Sequence, residues 1–144
     1  MPGLSGPVDA QSVLASVPLF SSLKKSQIRT MATTAKERLY KEGTKIVDQG
    51  EKGIGFYLIL SGHARVERAG TPVAVLGPGQ YFGEMALLDD QPRTADVRAA
   101  GPVRCLVLSP WEFWAAVGNE PEVLRTLLKE TVKRMRSSPT SISE

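Results

Sequence analysis

The rhythm of hydrophobic and polar positions changes twice along this chain and divides it into three parts. In the first, "VDAQSVLASVPLFSSLKKSQIRTMATTAKERLY", Leu14 and Val17 share a face and Pro18 interrupts the run. Ile28, Met31, Ala32 and Ala35 then recur at i, i+3, i+4, i+7. That spacing predicts a helical lead-in of two segments reaching Tyr40. From about Gly43 to Leu108 the rhythm shortens to "TKIV", "FYLILSGHARVER", "PVAVLG" and "DVRAAGPVRCLVLS", separated by Gly and Pro. Alternating or short apolar stretches between such breakers predict strands, and their number predicts a multi-turn β-barrel or jelly roll.

The third part returns to helix. Ser109-Pro110-Trp111-Glu112 has the grammar of a capping box with proline at the first helical position, and Gly118 suits a stop. Asn119-Glu120-Pro121-Glu122 repeats that start. On the second helix Leu124, Leu127, Leu128, Thr131 and Met135 fall on one face, with Arg125, Lys129, Lys133 and Arg136 on another. The basic row predicts a solvated face, with a partner or nucleic-acid surface as the alternative.

At 144 residues the chain is long enough for one domain with a real core, and 42% hydrophobic with 23% charged residues is an ordinary globular balance. A net charge of +3 does not by itself argue for nucleic acid. The lone Cys105 sits in the apolar run "VRCLVLS" and reads as a small buried hydrophobe. "MPGLSGPVDAQS" lacks the basic start and apolar stretch of a secretion signal, and no apolar run approaches the ~20 residues that span a bilayer. These features lead to the expectation of a cytoplasmic protein. Residues 9–136 are expected to form the domain, with 1–8 and 137–144 as flexible tails.

Catalysis is disfavoured by the residues available. His63 is the one histidine, so neither a Ser/His/Asp triad nor a clustered metal site can be assembled with confidence, and there is no GxxxxGK[ST] phosphate loop. The stretch "FGEMALLDDQPRTADV" is different. Gly83 sits where a strand should end and the short helix "EMALL" begins. The amides near Met85 and Ala86 would face an anion at that helix start, and Arg93 could add a guanidinium fork with the Thr94 hydroxyl beside it. Glu84 would repel the same anion, so it should face a hydrogen-bond donor such as a sugar hydroxyl. Phosphate and sugar in one small pocket point to a nucleotide.

"GQYFGEMALLDDQPRTADVRA" resembles the phosphate-binding cassette of the cyclic nucleotide-binding domain family, whose pattern is close to FGE-[LIM]-[AG]-L followed by PR-[AST]-A-x-V. The resemblance extends through "VPLFSSL", "YKEGTKIVDQGEKGIGFYLILSGHARV" and "VLGPGQ", from about residue 9 to 136. It is nearest to sensor domains of the catabolite activator and protein kinase A regulatory kinds, in the manner of a bacterial stand-alone member. It implies an α+β fold: an eight-stranded antiparallel β-roll (jelly roll) with N-terminal helices, a short phosphate-cassette helix and two C-terminal helices. It implies a ligand, cAMP favoured over cGMP, with no cofactor and no metal. It also implies Glu84 on the ribose 2′-hydroxyl, Arg93 on the cyclic phosphate, and contacts from Gly83, Met85, Ala86, Thr94 and Ala95. The family's last helix closes over the base, and Arg134 and Ser138, which by helical spacing flank the Leu124/Leu127/Met135 face, are the candidates for that contact. Ile54-Gly55 stands where the family often has Gly-Asp, and Asp96 where a smaller residue is usual. The implied mechanism is repositioning of the C-terminal helix, with no enzymatic activity. An effector protein or domain met through the basic C-terminal helix, and a homodimer, are the partners left open, with no membrane and no direct nucleic-acid contact expected. The rival readings are a degenerate domain that no longer binds nucleotide and serves protein interaction, and, more weakly, a cupin-like metal enzyme.

Overall fold

The computed structural model describes residues 9–51, 55–88, 92–118 and 120–136. Helix α1 (Ala10–Ala15) starts at Asp9, whose carboxylate accepts from the Ser12 amide, and a 3-10 turn at Pro18–Phe20 leads to α2 (Lys25–Thr34). Eight strands follow: β1 (Lys36–Tyr40), β2 (Lys45–Val47), β3 (Phe56–Ser61), β4 (Ala64–Arg68), β5 (Thr71–Leu76), β6 (Tyr81–Phe82), β7 (Asp96–Ala99) and β8 (Val103–Leu108). Helices α3 (Pro110–Val117) and α4 (Pro121–Arg136) complete the described residues, and a 3-10 turn at Glu84–Leu87 follows β6. The strands form two antiparallel four-stranded sheets, β1-β8-β3-β6 and β2-β7-β4-β5. This is the expected α+β architecture, a β-roll flanked by helices.

The continuous apolar run of β3 is explained by its place. Phe56, Leu58 and Leu60 turn outward under the helices, against Phe20, Met31, Phe113 and Leu127. Tyr57 and Ile59 turn inward between the sheets, against Val66, Phe82, Val97 and Cys105. Both faces are covered, so both alternating sets are apolar. Gly62 closes the hairpin into β4 at φ +83, with the Pro102 carbonyl so near that a Cβ would lie 2.1 Å from its oxygen. Only glycine satisfies both the left-handed backbone and that approach.

One expectation is corrected. Residues 36–40, read as the end of the helical lead-in, form strand β1, and α2 stops at Thr34. The strand exists because Lys36–Tyr40 pairs residue by residue with Val107–Val103 of β8. Leu39 is 74% exposed, so no buried alternation marked the segment as a strand.

Helix α3 follows its sequence signals closely, whereas Asn119, read as the start of the second helix, lies outside the described residues. Ser109 and Glu112 make the reciprocal capping box of α3, and Gly118 ends it at φ +66. The elbow between α3 and α4 is stitched to the N-terminal helices. The buried Gln27 amide donates to the Val117 carbonyl and to Glu120 Oε1, each at 3.2 Å, and Lys24 lies 3.8 Å from the same carboxylate.

The predicted single apolar face of α4 divides in two. Val123, Leu127 and Thr131 are buried against the body, whereas Leu124, Leu128, Val132 and Met135 are exposed. Among the described residues, no helix is long and apolar enough to cross a membrane.

Candidate functional site

The site is built from the end of β6. After Tyr81 and Phe82 the chain turns through Gly83 at φ +88, ψ +10, a left-handed conformation that glycine adopts without steric cost. The turn drives Glu84 inward, and its side chain is 0% exposed. Met85 and Ala86 continue the 3-10 turn, and the Leu88 amide closes it on the Met85 carbonyl. The indole N–H of Trp114 donates to the Leu87 carbonyl at 2.9 Å, fixing the cassette against α3.

A buried carboxylate needs a cation or several donors, because loss of hydration costs several kcal/mol. Arg134 of α4 supplies the cation, with Nη1 2.8 Å from Glu84 Oε2. Its Nη2 donates to the Tyr81 carbonyl, and its guanidinium lies 4.3 Å from the centre of the Tyr81 ring. The Tyr81 phenol is pushed up by burial, and Arg134 acts in the opposite sense. One arginine thus joins the last helix to the cassette in three ways: ion pair, backbone hydrogen bond and cation–π contact.

Arg93 returns from the far side of the loop and is 6% exposed. Its backbone is pinned in both directions. The Arg93 amide donates to the Glu51 carbonyl and the Gly50 amide donates to the Arg93 carbonyl, both at 2.9 Å. Its Nη2 donates to the Gly55 carbonyl at 2.8 Å. Gly55 is required there by space, since a Cβ would sit 2.8 Å from Tyr57 Cε1. Tyr57 stacks on Phe82 with ring centres 4.7 Å apart and planes 6° from parallel. Its phenol is raised by burial, against the pull of Arg93. Glu84, paired with Arg134, and the buried Arg93 thus lie at the two ends of the segment that follows β6.

The other predicted residues are placed as follows. Ala95 is fully buried beside Val97, while Thr94 is exposed and its carbonyl accepts from Arg68 Nε at 3.3 Å. Asp96 alternates to the opposite side from Ala95 and Val97. There it accepts from the Gln49 amide at 2.6 Å and lies 3.8 Å from Lys45, so its charge is held on the outer face of the second sheet. Ile54 and Ser138 lie outside the described residues. Arg134, predicted to reach a base, is engaged with Glu84 and Tyr81. Tyr81 and Gly55 escaped the sequence reading, because Gly55 acts through a carbonyl group that every residue carries, and Tyr81 through its carbonyl and a ring contact to a residue 53 positions away. The only legible signal was the position of Tyr81 within "GQYFGE".

Among the described residues, no group of three His, Cys, Asp or Glu side chains could hold a metal ion. Cys105 is buried in the sheet interior, and its thiol is pushed up to about 12 by that burial. His63 packs its ring beside Gly77, away from any such group.

Residues 37–120 match the family profile described as the cyclic nucleotide-binding domain. A cyclic nucleotide-gated potassium channel of Rhizobium etli is 33% identical over 127 residues, which is 88% of this chain and 36% of the channel. The cAMP-dependent protein kinase regulatory subunit of Debaryomyces hansenii is 36% identical over 117 residues, 81% of this chain and 26% of that protein. The chain therefore spans only about a quarter to a third of these two relatives. Among solved structures, the regulatory domain of Toxoplasma gondii protein kinase A with cAMP superposes with a TM-score of 0.75 at 28% identity, covering 86% of this chain and 49% of that one.

Proposed function

Since the chain belongs to the cyclic nucleotide-binding domain family, we propose that it binds a cyclic nucleotide at the cassette, with cAMP preferred over cGMP, and that it senses the ligand without catalysing a reaction. In this reading the Arg93 guanidinium faces the cyclic phosphate and the Glu84 carboxylate accepts from the ribose 2′-hydroxyl. Backbone groups of Gly83, Met85 and Ala86 line the phosphate, with Thr94 and Ala95 completing that wall. Support for cAMP comes from the Toxoplasma gondii domain, which carries it at a similar fold.

The observation that carries the reading is the burial of two opposite charges, Glu84 and Arg93, at the two ends of one loop. Burying either costs free energy that a merely structural loop has no need to spend. The signal then passes through Arg134. A ribose hydroxyl arriving at Glu84 changes the carboxylate to which α4 is tied, so ligand occupancy biases the position of that helix.

Titration calorimetry of the whole chain with cAMP, cGMP and 2′-deoxy-cAMP tests this. Arg93→Ala should weaken cAMP by roughly 2–3 kcal/mol, the scale of a charge-assisted interaction. Glu84→Ala should cost more with cAMP than with the 2′-deoxy ligand. Unchanged affinity in the first variant, or equal losses in the second, removes the assigned roles. A second reading has its own observation: both charges already hold protein partners, Arg134 for Glu84 and the Gly55 carbonyl for Arg93. It describes a domain that has given up the nucleotide for protein interaction. The absence of any thermal shift with millimolar cAMP and cGMP would decide for it.

A further inference from the structure

Viewed down its axis, α4 has three adjacent strips. At about 100° per residue, Val123, Leu127, Thr131 and Arg134 fall within one arc of about 80°. That arc is the one turned to the body, where the first three are buried and Arg134 meets Glu84. The next arc holds Leu124, Leu128, Val132 and Met135, which are 39%, 50%, 45% and 41% exposed. Beyond it run Arg125, Lys129, Lys133 and Arg136, with Glu122 as the single acid in that row. Four large apolar side chains in line over a 16-residue helix are not the scattered exposure of an ordinary surface.

The borders of the strip define what fits it. One edge is closed by the chain's own body and the other is a row of four cations. A shallow recess lined by Leu128, Lys129, Glu130, Val132, Lys133 and Arg136 lies along that second edge, with three cations against one carboxylate. A helix laid on the strip would bury its apolar side chains there and bring one flank against the cations. A second copy of α4 laid antiparallel would set basic row against basic row, and one laid parallel would set the basic row against the flank already filled by the other copy's body, which offers it no acidic row. A lipid surface would be met by cations along one edge only, the other being filled by protein. Charge complementarity therefore selects a helix with acidic residues on one flank. We propose that the outer face of α4 docks an acidic amphipathic helix of a partner protein. This surface is independent of the nucleotide reading, and its test is run without nucleotide.

The probe is a designed helical peptide with leucines at i, i+3, i+4 and i+7 and glutamates along one flank, compared with the same peptide carrying lysines in their place. Fluorescence anisotropy with the full chain should show the glutamate peptide binding at least about 10-fold more tightly, with added salt weakening it. Leu128→Ser with Val132→Ser should lose at least about 10-fold, consistent with two exposed apolar contacts. Lys129→Glu with Lys133→Glu should reverse the preference toward the lysine peptide, a result that a general loss of folding does not produce. Equal binding of both peptides, no binding, or no reversal overturns the proposal. So does a dimer in sedimentation that the serine pair dissolves, which assigns the strip to a second copy. Co-sedimentation with phosphatidylcholine–phosphatidylserine vesicles that the serine pair abolishes likewise assigns it to a lipid surface.

Discussion

Replacing Arg134 by alanine strips a carboxylate that is 0% exposed of its counter-cation. Breaking a fully buried pair from one side costs about 3–5 kcal/mol, because the remaining charge stays desolvated. The Arg134 side chain is 11% exposed, so water can reach the vacated space and the lower end of that range applies. Loss of the contact over the Tyr81 ring adds about 0.5–1 kcal/mol. A total of about 3.5–4 kcal/mol should lower the melting temperature by roughly 12 °C in a domain of this size. The magnitude also bears on the ligand. A ribose hydroxyl donating to the carboxylate offers about 1.5–3 kcal/mol, which does not exceed the worth of the arginine. Arg134 is therefore expected to remain on Glu84 when nucleotide arrives and to act as a positioning residue. The assay is a double-mutant cycle by calorimetric unfolding with Glu84→Gln, Arg134→Ala and both together. A coupling of at least about 1.5 kcal/mol is expected, on the scale of contacting charged residues. A coupling below about 0.5 kcal/mol, the additive range for independent sites, would refute the claim that this pair ties α4 to the cassette.

Gly62→Ala should destabilise by about 3 kcal/mol or more, since it combines a strained φ of +83 with a Cβ 2.1 Å from the Pro102 oxygen; a chemical denaturation midpoint unchanged by the substitution would contradict that geometry. Burial holds the Cys105 thiol at about 12 against an ordinary 9.0, so the unfolded chain loses this proton first as pH rises. Stability from this group is thus complete below about pH 9 and lost on the way to about pH 12. Tyr40, raised from 10.0 to about 12, adds to the loss in the upper part of the same window. Melting curves from pH 8 upward should show the decline, with a shallower slope in Cys105→Ala; identical slopes would reject the assignment.

The sequence showed some of these features and hid others, for physical reasons. The Gly83 turn was legible because a left-handed corner after a strand demands glycine, and the α3 cap because Ser109 and Glu112 bond across one turn. Strand β1 was not legible, because its cause is pairing with β8, nearly 70 residues away, and its solvent-facing side chains carry no alternation. Periodicity placed Leu124, Leu127 and Leu128 together on α4 but could not say which of them the body covers. The Glu84–Arg134 pair joins residues 50 positions apart, and no local spacing encodes such a contact.

Helix α4 is fastened at both ends. Its start is stitched through Glu120 to Gln27 and Lys24, and its far end is tied through Arg134 to Glu84. Arg134 stands 13 positions beyond Pro121, so at 1.5 Å per residue it lies about 20 Å from the fixed end. A shift at the cassette of one hydrogen-bond length, about 3 Å, would swing the helix through about 8–9° about that pivot. In the proposed sensing the stitched elbow would serve as the fulcrum of a lever, and a displacement the size of one polar contact would become a rotation of the whole outer surface.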